Sequence, residues 1–254
     1  MKRYGLMLLM LLAFGLQATA QLRQMKDKTE YPFWLYLPED TVLKSKPPVL
    51  IFLHGRSLSG TDLELVKRYG VITEITRGRK IPAIVFAPQV RPGSAWDPDK
   101  VLSVLNWVQK NYDTDSNRVY VVGMSLGGYG TLHFAGKYPD RVTAAVALCG
   151  GGNPSDGCRL ATLPLWIQHG KLDQAVPISE SEKMVAAIKA CNGGKFLEYK
   201  VYDSWGHSQL ARVMEDDAMY DWLFNQRKIR VPDGSMGMAP IAPSTGLTPS
   251  SAVH

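Results

Sequence analysis

Between Pro32 and about Lys228, short apolar runs alternate with amphipathic stretches, the pattern of a mostly parallel sheet joined by covering helices. The candidate strands are Phe33–Leu37, Val49–Leu53, Ala83–Ala87, Val119–Val122, Ala144–Leu148, Leu165–Ile167 and Leu197–Tyr202. Unbroken hydrophobicity, as in Val49-Leu50-Ile51-Phe52-Leu53, belongs to a strand covered on both faces, so helices are expected above and below the sheet. The clearest helix runs from Asp97 to Tyr112: Asp97 can cap it, Pro98 suits its first position, and Val101, Val104, Leu105 and Val108 recur at helical spacing. Others are expected at Asp62–Arg68, Leu126–Lys137, Ser179–Ala190 and Leu210–Phe224, the last with Met219, Trp222 and Leu223 on its inner face. The fold class is α/β, with one domain over 32–228.

Both ends break this pattern. Lys2 and Arg3 precede an apolar run from Leu6 to Leu16 that closes in Ala18-Thr19-Ala20, which reads as a signal peptide over 1–20, followed by a leader over 21–31. The run is shorter than the ~20 residues that cross a bilayer, and no later segment is apolar enough, so no membrane insertion is expected after cleavage. A secreted or periplasmic protein follows. After Lys228, Pro232, Gly234, Pro240, Pro243, Gly246 and Pro249 stand among small and polar residues with no aromatic anchor, so 229–254 is expected to be a disordered tail.

Export changes the reading of the cysteines, because an oxidising compartment lets three of them form one bridge. Cys158 and Cys191 lie in the surface-type contexts Asp156-Gly157-Cys158 and Ala190-Cys191-Asn192-Gly193, whereas Cys149 ends an apolar run. The expected pair is Cys158 with Cys191. The formal charge of +6, or +4 without Lys2 and Arg3, is scattered along the chain and implies no nucleic-acid partner. At 45% hydrophobic residues, composition excludes a wholly disordered or collagen-like chain.

The candidate chemistry starts where the strand Val119–Val122 runs into Gly123-Met124-Ser125-Leu126-Gly127-Gly128 and then a helix. A serine hydroxyl is a poor nucleophile unless it is held beside a base, and a sharp strand-to-helix turn does this only when its flanking positions are small. Ser125 is the candidate nucleophile. The backbone N–H of Leu126 opens the following helix and can donate to an oxyanion. A second donor is expected from the loop after Val49–Leu53, where His54-Gly55-Arg56 offers the Arg56 N–H.

In the Ser–acid–His order that such a turn implies, the base follows the acid. His207 in Trp205-Gly206-His207 meets this, whereas His254 ends the tail. Asp173, just beyond Leu165–Ile167, is the preferred acid over Asp203, which stands only four residues before His207 and would have to fold back. His54, His133 and His169 read as packing or loop-shaping residues.

With these residues placed, the chain resembles the esterase, phospholipase/carboxylesterase and dienelactone-hydrolase-like group of the α/β-hydrolase superfamily over about 32–228. The resemblance rests on the Gly-Met-Ser-Leu-Gly-Gly elbow, His54-Gly55, His169-Gly170-Lys171-Leu172-Asp173 with Val176-Pro177, and Gly206-His207. It implies an α/β-hydrolase fold and a serine carboxylesterase acting on a small ester or an acylated polysaccharide, such as acetyl or feruloyl esters of plant polysaccharide, without cofactor or metal. Dienelactone hydrolases use cysteine where Ser125 stands, and no cysteine lies near the elbow in sequence. The group also includes prolyl-oligopeptidase-like peptidases, and an inactive binding module of the same fold is the reading from another class. Trp96 falls where the group places pocket-lining residues, and Trp205 adjoins His207; either can stack on a phenolic acyl group or a sugar, or simply pack.

Overall fold

Strands β1 (Gln21–Met25), β2 (Phe33–Leu37), β3 (Val49–Leu53), β4 (Ile84–Pro88), β5 (Val119–Met124), β6 (Ala144–Leu148), β7 (Leu165–Gly170) and β8 (Leu197–Tyr202) form one sheet. Their order is β1-β2-β4-β3-β5-β6-β7-β8 in the computed structural model, which describes residues 21–230 and 236–238. From β4 to β8 the neighbours are parallel, while β1 and β2 run antiparallel at one edge. The expected signal peptide over 1–20 therefore lies outside the described residues.

Alternate residues of the central strands feed two cores. Ile51, Leu53, Val121 and Ala145 face α3 (Pro98–Asn111), α4 (Leu126–Lys137) and α6 (Ser179–Asn192), meeting Val104, Leu105, Leu132, Met184 and Ile188. Leu50, Phe52, Tyr120 and Val122 face the other way, against Val71 and Ile72 of a short helix, Val71–Thr76, and against Met219 and Leu223 of a helix at Asp217–Phe224. Each such buried aliphatic or aromatic side chain contributes roughly 1.5–3 kcal/mol relative to exposure. This double cover explains why the strands read as continuous apolar runs.

The predicted cap of α3 is present. Asp97 accepts the Asp99 N–H at 2.9 Å at the start of α3, and the described bridge joins Cys158 to Cys191 with Cα atoms 5.1 Å apart. It ties the short helix Gly157–Leu160 to the last turn of α6.

Elsewhere the fold corrects the sequence reading. The leader contributes β1, paired with β2 from Gln21 opposite Leu37 to Met25 opposite Phe33. The expected helix Leu210–Phe224 is two pieces, a 3-10 segment at Ser208–Glu215 and the helix Asp217–Phe224, because Asp216 takes an extended conformation and caps the second by accepting the Ala218 N–H. Asp62–Arg68 holds a 3-10 turn rather than an α-helix. Strand β7 continues past Ile167 through Gln168 and His169, polar residues that are fully buried: Tyr202 donates to Gln168 Oε1 at 2.7 Å, leaving the Gln168 amide nitrogen without a partner among the described residues, and His169 meets Ser181 at 2.8 Å. The expected disordered tail carries β9 (Lys228–Arg230) and β10 (Met236–Met238) as an antiparallel pair. Its other residues lie outside those described.

Candidate active site

The parallel strands deliver their carboxyl ends to one edge of the sheet, the usual place for a site in an open α/β architecture. Ser125 follows β5 directly and adopts φ +58°, ψ −120°. For a side chain this is a strained backbone, costing on the order of 1–3 kcal/mol, held only by over-determining neighbours. Those neighbours are visible: the Ser125 N–H donates to the Leu148 carbonyl at 2.8 Å, and the Tyr129 N–H takes the Ser125 carbonyl at 3.0 Å. A methyl group on Gly123 would overlap the Gly127 carbonyl, so the turn closes only with a glycine there.

Asp173 and His207 arrive from the ends of β7 and β8. The Ser125 hydroxyl donates to His207 Nε2 at 2.9 Å, and His207 Nδ1–H donates to Asp173 Oδ2 at 2.7 Å. The other Asp173 oxygen accepts the backbone N–H groups of Ala175 at 2.8 Å and Val176 at 2.9 Å. Burial opposes ionisation of this carboxyl, but the Val176 N–H, the His207 ring and the Ala175 N–H together outweigh it and hold Asp173 below its ordinary value. The carboxylate is fully enclosed while the His207 side chain is 27% exposed. A charged acceptor thus fixes one ring nitrogen and leaves the other to the serine.

Asp203, the sequence alternative, pairs with Lys171 at 3.4 Å at the surface, its side chain 86% exposed. It stands in the turn that follows the end of β8 at Tyr202, and His207 is bonded to Asp173 instead.

Arg56 and Leu126 stand at the first positions of the 3-10 turn Arg56–Leu58 and of α4, where no intrahelical acceptor exists for their N–H groups. Both line, with Ser125 and His207, a cavity of about 790 Å³. Its apolar wall comes from Met124, Leu126, Val176 and Ala211, with the rings of Tyr69 and Tyr129 beside them. A second cavity of about 470 Å³ shares Leu126 and Tyr129 with the first.

Neither tryptophan lines the Ser125 cavity. Trp96 is only 4% exposed: its indole N–H donates to the His54 carbonyl at 3.1 Å, and its ring packs edgewise on His54 and Tyr31. One edge of it borders the second cavity. Trp205 stacks flat on Tyr202 at 3.9 Å, which holds the loop before His207. The tyrosines in the cavity were missed. Tyr129, four residues after Ser125 on the same helix face, had a spacing signal; Tyr69 had none, since it reaches the site across a tertiary contact with Gly55.

Among the other histidines, His54 is fully buried, donating from Nδ1 to the Gly55 carbonyl at 2.8 Å and accepting the Val90 N–H at Nε2. Burial lowers it to about 4 despite the opposing Gly55 bond, so it stays neutral and shapes the loop. His169 is buried behind Asp173, donating from Nε2 to the Val176 carbonyl at 3.0 Å. His133, read from sequence as a packing residue, is exposed instead, because its position on α4 points away from the sheet. His254 lies outside the described residues. Cys149, distant from the elbow in sequence, is brought to it by β6: its sulfur and ligand atoms of Asp173 and His207 lie within 4.8 Å of one another. Burial pushes this thiol up to about 12, against the Ser125 N–H that favours the thiolate, so it remains protonated beside the site.

A family model described as putative esterase matches residues 25–220. Acetylxylan esterase A of Emericella nidulans is 25% identical over 155 residues, covering 51% of this chain and 47% of that protein. Feruloyl esterase B of Thermothelomyces thermophilus is 28% identical over 145 residues, covering 49% and 45%. The chain thus spans about half the length of these curated relatives. The crystal structure of a thermostable esterase superposes with a TM-score of 0.68 at 29% identity, over 82% of this chain and 63% of that one. A feruloyl esterase module from Clostridium thermocellum, at 15% identity and a TM-score of 0.60 over 80% of this chain and 88% of that one, shares the fold. The chain belongs to the esterase family of the α/β-hydrolase superfamily.

Proposed function

We propose that this protein is a secreted serine hydrolase that cleaves carboxylic esters through an acyl-enzyme, with residues 32–228, extended by strand β1, as its catalytic domain. The observation that carries the reading is the hydrogen-bonded chain Ser125–His207–Asp173 at the wall of a 790 Å³ cavity. His207 takes the Ser125 proton as Oγ attacks the ester carbonyl, and Asp173 stabilises the imidazolium so formed. The Arg56 and Leu126 N–H groups receive the oxyanion. His207 then protonates the leaving alcohol, and water repeats the sequence to free the acid and restore Ser125.

The substrates we favour are acetyl or feruloyl esters of plant polysaccharide. The acetylxylan and feruloyl esterases among the relatives support this class. So does the second cavity beside the first, which gives a sugar chain room beyond the ester while the acyl group enters the apolar wall. The Cys158–Cys191 bridge supports an oxidising destination.

The test is turnover of acetyl, butyryl and feruloyl esters, polymeric acetylated xylan and a peptide anilide by wild type and Ser125→Ala. Ester cleavage confined to the wild type is expected. Faster peptide cleavage would convert the reading to a peptidase, and no hydrolysis of any ester would leave a binding module.

A further inference from the structure

Tyr69 is one of several polar side chains of the cavity that the mechanism above does not use. It belongs to the chain between β3 and β4, and its hydroxyl oxygen accepts the Gly55 N–H at 3.0 Å. A methyl group placed on Gly55 would lie 2.5 Å from Tyr69 Oη, 3.2 Å from the Met124 carbonyl and 3.4 Å from Ser125 Cβ. The phenol and the nucleophile therefore look at each other across the hydrogens of one glycine, and both line the same cavity.

The single proton of this phenol is uncommitted among the described residues. Gly55 occupies a lone pair of the oxygen, and the remaining neighbour, Ser57 Oγ, is at the 3.5 Å limit of a hydrogen bond. Accepting a backbone N–H polarises an O–H and strengthens it as a donor. Burial, ahead of the Ser57 and Gly55 contacts that oppose it, pushes the Tyr69 hydroxyl above its ordinary value and keeps it protonated. Gly55 also precedes Arg56, whose N–H is one of the two proposed backbone donors, so the phenol is anchored one residue before that amide.

We propose, resting on the serine-esterase reading, that Tyr69 is a catalytic residue: its O–H is a third donor to the oxyanion that forms on the ester carbonyl attacked by Ser125. The phenol proton stays on its oxygen throughout. The negative charge that develops on the carbonyl oxygen is received by the hydrogen bond and returns when the alcohol leaves with the proton carried by His207. Such a donor stabilises the transition state and not the neutral ester, which separates its effect on kcat from its effect on KM.

The experiment compares wild type, Tyr69→Phe and Ser125→Ala on an oxo ester and on the matching thiono ester, whose sulfur is a poorer hydrogen-bond acceptor. Tyr69→Phe is expected to lower kcat for the oxo ester roughly 100-fold, with KM within about twofold, and to shrink the oxo-to-thiono rate ratio. A merely structural tyrosine, whose loss loosens the Gly55 loop, would lower both rates together and leave that ratio unchanged; this overturns the proposal, as does wild-type kcat. Should Tyr69→Phe prove unfolded by circular dichroism, fluorotyrosine incorporated at position 69 decides. A changed ratio at a pH where that phenol is protonated supports the donor, and an unchanged ratio overturns it. Full activity in Ser125→Ala would instead bring down the underlying esterase mechanism, whatever Tyr69 does.

Discussion

Gly127 lies against the carbonyl oxygen of Leu53, so close that any β-carbon on Gly127 would overlap it. This contact sets the end of β3, which leads into Arg56, against the first turn of α4, which begins at Leu126, the two residues proposed as oxyanion donors. Gly127→Ala is therefore expected to cost about 3 kcal/mol, the upper end for overpacking, because both partners are backbone and neither can swing away. Urea denaturation checks the loss, and covalent labelling by a fluorophosphonate checks the elbow. A wild-type midpoint with full labelling would show that the two backbones part easily.

The Asp173–His207 bond separates the two candidate acids experimentally. Asp173→Asn is expected to reduce ester kcat on the order of 10⁴-fold by favouring the wrong His207 tautomer, and Ser125→Ala on the order of 10⁶-fold. Asp203→Asn, altering an exposed pair with Lys171, is expected to leave kcat within about twofold. Steady-state turnover of an acetyl ester measures all three, and a large loss in Asp203→Asn would reassign the acid.

His54 makes folding stability pH-dependent. Its folded value of about 4 lies below the ordinary 6.5, so the unfolded chain binds the proton first as pH falls. The stability associated with its neutral form is whole above 6.5 and is lost as pH drops towards about 4. From this group alone the loss between pH 7 and pH 5 is about 2 kcal/mol. Denaturant titrations at the two pH values should show a smaller difference in His54→Gln than in wild type. An equal difference in both proteins would assign the slope to other groups.

The Cys158–Cys191 bridge closes a loop with a sequence separation of 33. Its reduction is expected to cost about 4 kcal/mol in the chain-entropy picture, lowering Tm by about 10 °C. Calorimetry with and without reductant, alongside Cys158→Ser, measures this. Cys149 should resist alkylation in the folded protein throughout, being fully buried.

The residue pattern alone determined the central strands, α3 with its Asp97 cap, and the elbow at Ser125, because burial on both sheet faces and a glycine-flanked turn each write a local signature. That His207 meets Ser125 was legible from chain order, and that Asp173 meets His207 from its position after a strand. The bridge was legible from the contexts of Cys158 and Cys191.

What only the tertiary structure decided was where side chains from different loops meet. Trp96 and Trp205 are attractive aromatics in sequence, yet one is drawn into the core by His54 and Tyr31 and the other onto Tyr202. Tyr69 and Cys149 carry no local mark of proximity to Ser125; a tertiary contact with Gly55 brings the first there and the end of β6 the second. The break at Asp216 and the strand at Gln21–Met25 likewise depend on neighbours remote in the chain. Local periodicity reports which face of an element is buried, whereas the composition of a cavity depends on which strand ends the sheet order sets side by side.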